Sequence, residues 1–159
     1  MKVEDYQQYL SCVRVQENDF SVSEEMQALT HGRVDIGGLA TFTGLVRDRN
    51  EGEPIATLTL EHYPGMTEKS LARIVALAFH RWPLLGARVV HRYGRLQPGE
   101  QIVFVGIASA HRGEAFAACE FVMDYLKTEA PFWKLEDTPE GERWVDAREM
   151  DADAVERWR

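Results

Sequence analysis

Apolar positions in this chain recur at two different spacings, and the change from one to the other marks out its elements. Cys12-Val13-Arg14-Val15 alternates as a short strand, after which Ser23 caps a helix with Glu24 and Glu25 in its first turn and His31-Gly32 at its end. Leu39 to Val46 is a β-branched and aromatic run behind Gly37-Gly38, so Arg47 stands where a strand gives way to a loop. Asp48 to Pro54 has the Asn, Gly and Pro of a surface connection, of the kind that closes over a site in some proteins. Ile55 to Tyr63 alternates again, and Pro64-Gly65 turns the chain. Thr67 then caps a long helix whose apolar face is Leu71, Ile74, Val75, Ala78 and Trp82, stopped by Pro83.

A strand from Arg88 to Tyr93 and a turn at Pro98-Gly99 lead to Ile102–Ala108, a continuous apolar run suited to a strand buried on both faces. Beyond the polar turn 109–113, Ala115, Cys119, Val122 and Leu126 recur at helical spacing until Ala130-Pro131 ends the helix. The turn 138–141 joins two short strands, and 151–158 reads as a terminal helix. Residues 1–10 read as a polar arm. The order predicts an α+β domain over 1–159 with a mostly antiparallel sheet and a small extra β subdomain.

Composition narrows the partners. With 159 residues and 45% hydrophobic content the chain is long enough for one proper core. A net charge of -8 and the absence of any Lys/Arg run argue against nucleic acid, so a basic cluster would have to be local, as in a pocket for a small anion. Cys12 and Cys119 form neither a disulfide framework nor a Cys-x-x-Cys pair. No apolar run is long enough to cross a membrane, and MKVEDYQQYL is not a signal peptide, so a cytoplasmic protein is expected.

The richest chemistry lies between Gln101 and Glu136. His111 and Arg112 sit at the predicted start of a helix, whose N–H groups and dipole favour an anion. Lys127 and Lys134 flank the break at the other end beside Phe132-Trp133, a setting that can depress a lysine pKa for proton transfer or nucleophilic attack. Taken singly, Lys127 in a last helical turn equally complements the macrodipole, and His111-Arg112 equally forms a solvated turn. The five histidines lack the spacing of a zinc-helix motif, and His111 and Cys119 are about 10 to 12 Å apart along a helix, too far for a dyad. No glycine-rich nucleotide loop occurs.

The segments TFTGLVRD (41–48), LTLEHYPGMTEKSLARI (58–74), PGEQIVFVGIASAHR (98–112), MDYLKTEAPFWK (123–134) and EGERWVDAR (140–148) resemble the catalytic, large subunit of molybdopterin synthase. The resemblance implies an α/β hammerhead fold and a sulfurtransferase that converts cyclic pyranopterin monophosphate to the dithiolene of molybdopterin. Its sulfur donor would be the thiocarboxylated C-terminal glycine of a small ubiquitin-like subunit, within a heterotetramer built on a homodimer. No cofactor or metal is implied. The family's site residues fall on Arg47, His111, Arg112, Lys127, Lys134 and Arg148, with Val46 and Glu136 beside them. Leu45 and Leu135 stand where some members carry a basic residue, and would line the pocket by shape or backbone only.

Those residue types suit the reaction. Arginine and histidine clamp a phosphate, and lysine supplies acid/base or transient covalent chemistry, Lys127 leading with Lys134 as its partner. Arg112 and Lys127 are fifteen residues apart on one predicted helix, about 22 Å at 1.5 Å per residue, too far for one small pterin. A site shared between two copies of the chain is therefore expected. Two other readings stay open on the residues alone: a non-catalytic module binding a phosphorylated metabolite or protein tail, and a lyase acting on a cyclic phosphate.

Overall fold

A computed structural model of the chain describes residues 5–145 and 149–159. Its centre is β8 (Gln101–Ser109), in which every residue from Ile102 to Ser109 is buried. Both faces of that strand are covered, which is why its sequence is apolar throughout rather than alternating. β8 pairs antiparallel with β6 (Leu84–Arg92) on one side and with β2 (Gly38–Leu45) on the other, and β1 (Val13–Gln16) adds parallel to β6. The strand order is β1-β6-β8-β2, so β2 is an edge.

Helices α2 (Met66–Arg81) and α3 (Arg112–Glu129) cover one face, packing Leu71, Val75, Ala118 and Val122 with Val89, Val103, Val105 and Ile107 of the sheet. Helix α1 (Val22–Thr30) covers the other, beside the Phe20, Val90 and Phe104 cluster. Its Leu29 comes so close that a Cβ at Gly106 would lie 2.9 Å from that side chain. Glycine therefore sets how near α1 can approach the sheet.

The second sheet is fully antiparallel, in the order β10 (Gly141–Val145), β9 (Phe132–Thr138), β5 (Thr57–His62), β7 (Gly94–Leu96). A two-residue hairpin, β3 (Arg49–Asn50) and β4 (Glu53–Pro54), stands beside it. Helix α4 (Glu149–Glu156) is followed by Trp158, which packs edge-on against Trp82 and Phe121 and donates its indole N–H to Asp124 at 2.7 Å.

Four local expectations are corrected. Ser21, not Ser23, caps α1, its hydroxyl accepting the Glu24 N–H at 3.3 Å. Thr67 is not a cap either: Gly65 holds that position at φ 84°, where its N–H donates to the Glu68 carboxylate at 2.6 Å. Thr67 is instead buried, its hydroxyl donating to the Tyr63 carbonyl at 2.8 Å and tying α2 to the end of β5. β6 begins at Leu84, because the proline that stops α2 leaves an extended backbone that joins the sheet at once. The described part of the N-terminal arm is a 3-10 turn over Gln7–Cys12, where Tyr9 packs on Phe79 at 4.9 Å and Arg73 lies over Tyr6 at 4.6 Å. Its tyrosines, hidden in a polar composition, dock it on α2.

Candidate active site

The end of β2 is where the site begins. A register shift between Gly44 and Leu45 breaks the ladder with β8, and a Cβ at Gly44 would stand 2.7 Å from the Val103 side chain. The strand re-aims there. Val46 is then fixed by its own N–H to the Glu100 carbonyl at 2.9 Å and by the Gly99 N–H to its carbonyl at 2.7 Å. Arg47 follows at the rim, exposed.

From the opposite side α3 delivers Leu126 and Lys127 before Ala130 turns extended (ψ 134°) ahead of Pro131. The chain reverses into β9, and strand alternation puts Lys134 and Glu136 on one face. Between these elements lies a cavity of about 470 Å³, of a size to hold a small molecule. Leu45, Val46, Arg47, Lys127, Lys134 and Glu136 all line it, together with Arg49 and Asn50 of the hairpin, Phe132 and Trp133 of β9, and Asp151 of α4. Its floor is apolar, from Ile55, Leu58, Leu60, Ile102 and Val103.

Two buried polar groups hold the walls in place. Glu136 accepts from Asn50 Nδ2 at 2.7 Å and from Arg143 at 3.1 Å, while Arg143 also donates to Glu53 at 2.6 Å. The hairpin is thereby tied to β9 and β10. Glu136 is thus a wall support, both of its oxygens being engaged within the protein. His91, on β6, is 5% exposed and stacks on Phe132 with ring centroids 3.8 Å apart. Its Nδ1 lies 2.8 Å from the Arg92 carbonyl, which can only accept, so Nδ1 carries the proton. Burial, opposed by the Arg92 bond and assisted by the charges of Lys127, Lys134 and His62, pushes the imidazole pKa down to about 3.

The remaining sequence-derived candidates lie elsewhere. His111 is the N-cap of α3 and Arg112 its first residue, both exposed, at the far end of the helix from Lys127. Leu135 is not among the residues lining the cavity, being on the face of β9 opposite Lys134 and Glu136. Arg148 lies outside the described residues. Sequence reasoning missed His91, Arg49, Asn50, Trp133 and Asp151 as lining groups. A histidine inside a strand that otherwise buries Val89 and Val90 was the signal available for the first. Arg49 and Asn50 belong to the 48–54 connection and Trp133 to the aromatic pair beside the lysines, so those segments were marked without these side chains being singled out, while nothing marked Asp151.

Among the described residues no cluster of three or more His, Cys, Asp or Glu is placed to hold a metal ion, and no helix is long and apolar enough to cross a membrane. Fold and cavity together define a two-sheet α+β protein with a cationic, apolar-floored pocket. The family model described as MoaE protein matches residues 15–129, and the chain belongs to that family. It is 60% identical over 146 residues to the molybdopterin synthase catalytic subunit of Ralstonia nicotianae, covering 92% of this chain and 83% of that one. The solved molybdopterin biosynthesis MoaE protein from Burkholderia ambifaria superposes with a TM-score of 0.79 at 56% identity, covering 92% and 96% of the two chains. A Helicobacter pylori structure, a complex of subunits 1 and 2 of molybdopterin-converting factor, shares the fold at 16% identity and a TM-score of 0.71, covering 86% and 92%. The chain acts in molybdopterin synthesis as the catalytic subunit, a sulfurtransferase of molybdenum-cofactor biosynthesis.

Proposed function

We propose that the cavity receives cyclic pyranopterin monophosphate and that sulfur reaches it from the thiocarboxylated C-terminal glycine of a small ubiquitin-like subunit in the cytoplasm. The observation that carries this reading is the convergence of Lys127, Lys134 and Arg47, from three separate elements, on one cavity with an apolar floor. The floor suits the pterin rings and the cations suit its phosphate and the thiocarboxylate. Lys127 is the leading acid/base or transient covalent group, Lys134 its partner, and Arg47 part of the anion clamp. Arg148 joins the clamp on the strength of the family resemblance alone. The test is to combine the chain with a thiocarboxylated partner and the cyclic substrate. Dithiolene product is expected, whereas turnover without the sulfur donor would favour a lyase.

His111 and Arg112 complete the clamp from a second copy of the chain. The edge strand β2, GLATFTGL, carries no charge to block pairing and exposes Phe42, and Phe116 of α3 is exposed as well. One end of β2 lies against Arg112, a Cβ built at Gly38 being 3.9 Å from Arg112 Cα, and the other is Leu45 at the cavity. Seven residue steps of strand span about 24 Å. Pairing β2 with its two-fold mate would set Gly38 of one copy beside Leu45 of the other, delivering Arg112 to the neighbouring cavity.

The partner's tail enters as an extended glycine chain, held by backbone hydrogen bonds and by exclusion of larger side chains. The Helicobacter structure, a complex of two subunits, supports a second subunit as partner. Calorimetry with the small subunit lacking its last two residues should show binding weakened by at least about tenfold. Undiminished affinity would remove the tail from the recognition.

A further inference from the structure

We propose that His91 is a positioning residue of this pocket, a neutral imidazole whose one acceptor nitrogen takes a hydrogen bond from an ammonium group of the lysine pair and holds it in place. The inference rests on the proposed reading of the cavity as the reaction site. Its basis is geometric. His91 lines the same cavity as Lys127 and Lys134, yet it is nearly sealed from solvent on a strand of the central sheet. The Nδ1 proton is committed to the Arg92 carbonyl at 2.8 Å, which leaves Nε2 as the acceptor of the ring. A flip of the ring would lose that bond, and any smaller rotation would also break its near-parallel stack on Phe132, 19° between planes.

Phe132 opens β9, two residues before Lys134, so the imidazole also clamps the backbone that carries one of the lysines. The charges around the ring agree with a neutral acceptor. Lys127 on α3, Lys134 on β9 and His62 on β5 oppose a positive imidazole. Of the nearby carboxylates, Glu136 is bound by Asn50 and Arg143, and Asp151 stands on α4 across the cavity wall. A protonated His91 would add a further cation to a site already crowded with them, whereas a neutral one accepts a hydrogen bond from one of those present.

Two measurements test this on the full chain. Long-range proton–nitrogen spectra from pH 8 to about 4.5, with His91→Gln to assign the signal, should show an Nδ1–H tautomer that does not titrate. An Nε2–H tautomer, or titration near the ordinary histidine value, would overturn the proposal. The second compares His91→Gln, which restores an acceptor near the Nε2 position, with His91→Phe, which keeps a ring on Phe132 but has no acceptor. In the dithiolene assay His91→Phe should lose about tenfold or more in kcat with KM within about twofold, while His91→Gln stays within about threefold of wild type. Equal turnover by wild type and His91→Phe would overturn it, as would equal losses in both variants. An inactive wild type would instead count against the proposed reaction, and the spectra would still decide the tautomer.

Discussion

Lys127 and Lys134 approach one cavity from a helix end and from a strand, so separate elements place their backbones. Lys127 is exposed in the last turn of α3, where truncation to alanine typically changes stability by no more than about 0.5 kcal/mol. Lys127→Ala is therefore expected to abolish product formation while leaving the denaturation midpoint nearly unchanged, and Lys134→Ala to impair turnover comparably or less. Near-wild-type product from Lys127→Ala would remove its catalytic assignment. At His91 the folded protein disfavours the protonated form that the unfolded chain adopts below its ordinary value of 6.5. The unfolded state then binds more protons between that value and about 3, so stability must fall as the pH drops through this window. The slope approaches about 1.4 kcal/mol per pH unit for a single buried group. Thermal melts at pH 7, 6 and 5 should show this loss in wild type and a shallower dependence in His91→Gln.

At the scale of elements, the chain's periodicity announced every long helix and strand, because burial on one or two faces imposes its spacing directly on the sequence. The apolar run of β8 and the helical stripe of α3, ended by Ala130-Pro131, are cases where composition and packing agree. What stayed hidden depends on partners distant in the chain. That β1 runs parallel to β6 is a matter of tertiary pairing, and the caps of α1 and α2 turn on which nearby hydroxyl or carboxylate reaches the N–H groups. The two-residue strands of the hairpin are too short to carry a period, and their role follows from Glu136, 86 residues away from Asn50 in sequence. Replacing Glu136 by alanine leaves Asn50 and Arg143 without this acceptor in a half-buried site. A loss of about 1 to 3 kcal/mol in chemical denaturation is expected, with the hairpin more open to limited proteolysis. Asn50→Ala, which leaves the Arg143 bonds to Glu136 intact, should cost less. Equal losses would show that the hairpin is held by something other than this carboxylate.

At the scale of the whole molecule, the gap between the two ends of α3 decides how many chains make one site. Arg112 and Lys127 stand at opposite ends of an 18-residue helix, their backbones about 22 Å apart. Side chains of helical residues lean toward the N-terminus, which brings Lys127 inward but carries Arg112 away, so no rotamer closes the distance within one chain. The strand β2 runs alongside over nearly the same length and leaves its outer edge unpaired among the described strands. A two-fold axis through the middle of β2 would exchange its ends and match each Arg112 with the neighbouring Lys127. A lysine at Phe42 on this uncharged edge should therefore leave the chain folded but monomeric by light scattering, and inactive. The decisive experiment mixes two inactive proteins, Arg112→Ala and Lys127→Ala, under conditions of subunit exchange. Half of the randomly formed dimers are mixed, and each contains one site with both its arginine and its lysine, so roughly a quarter of wild-type activity should return. Sites contained within single chains would give none, because every chain in the mixture carries one of the two lesions.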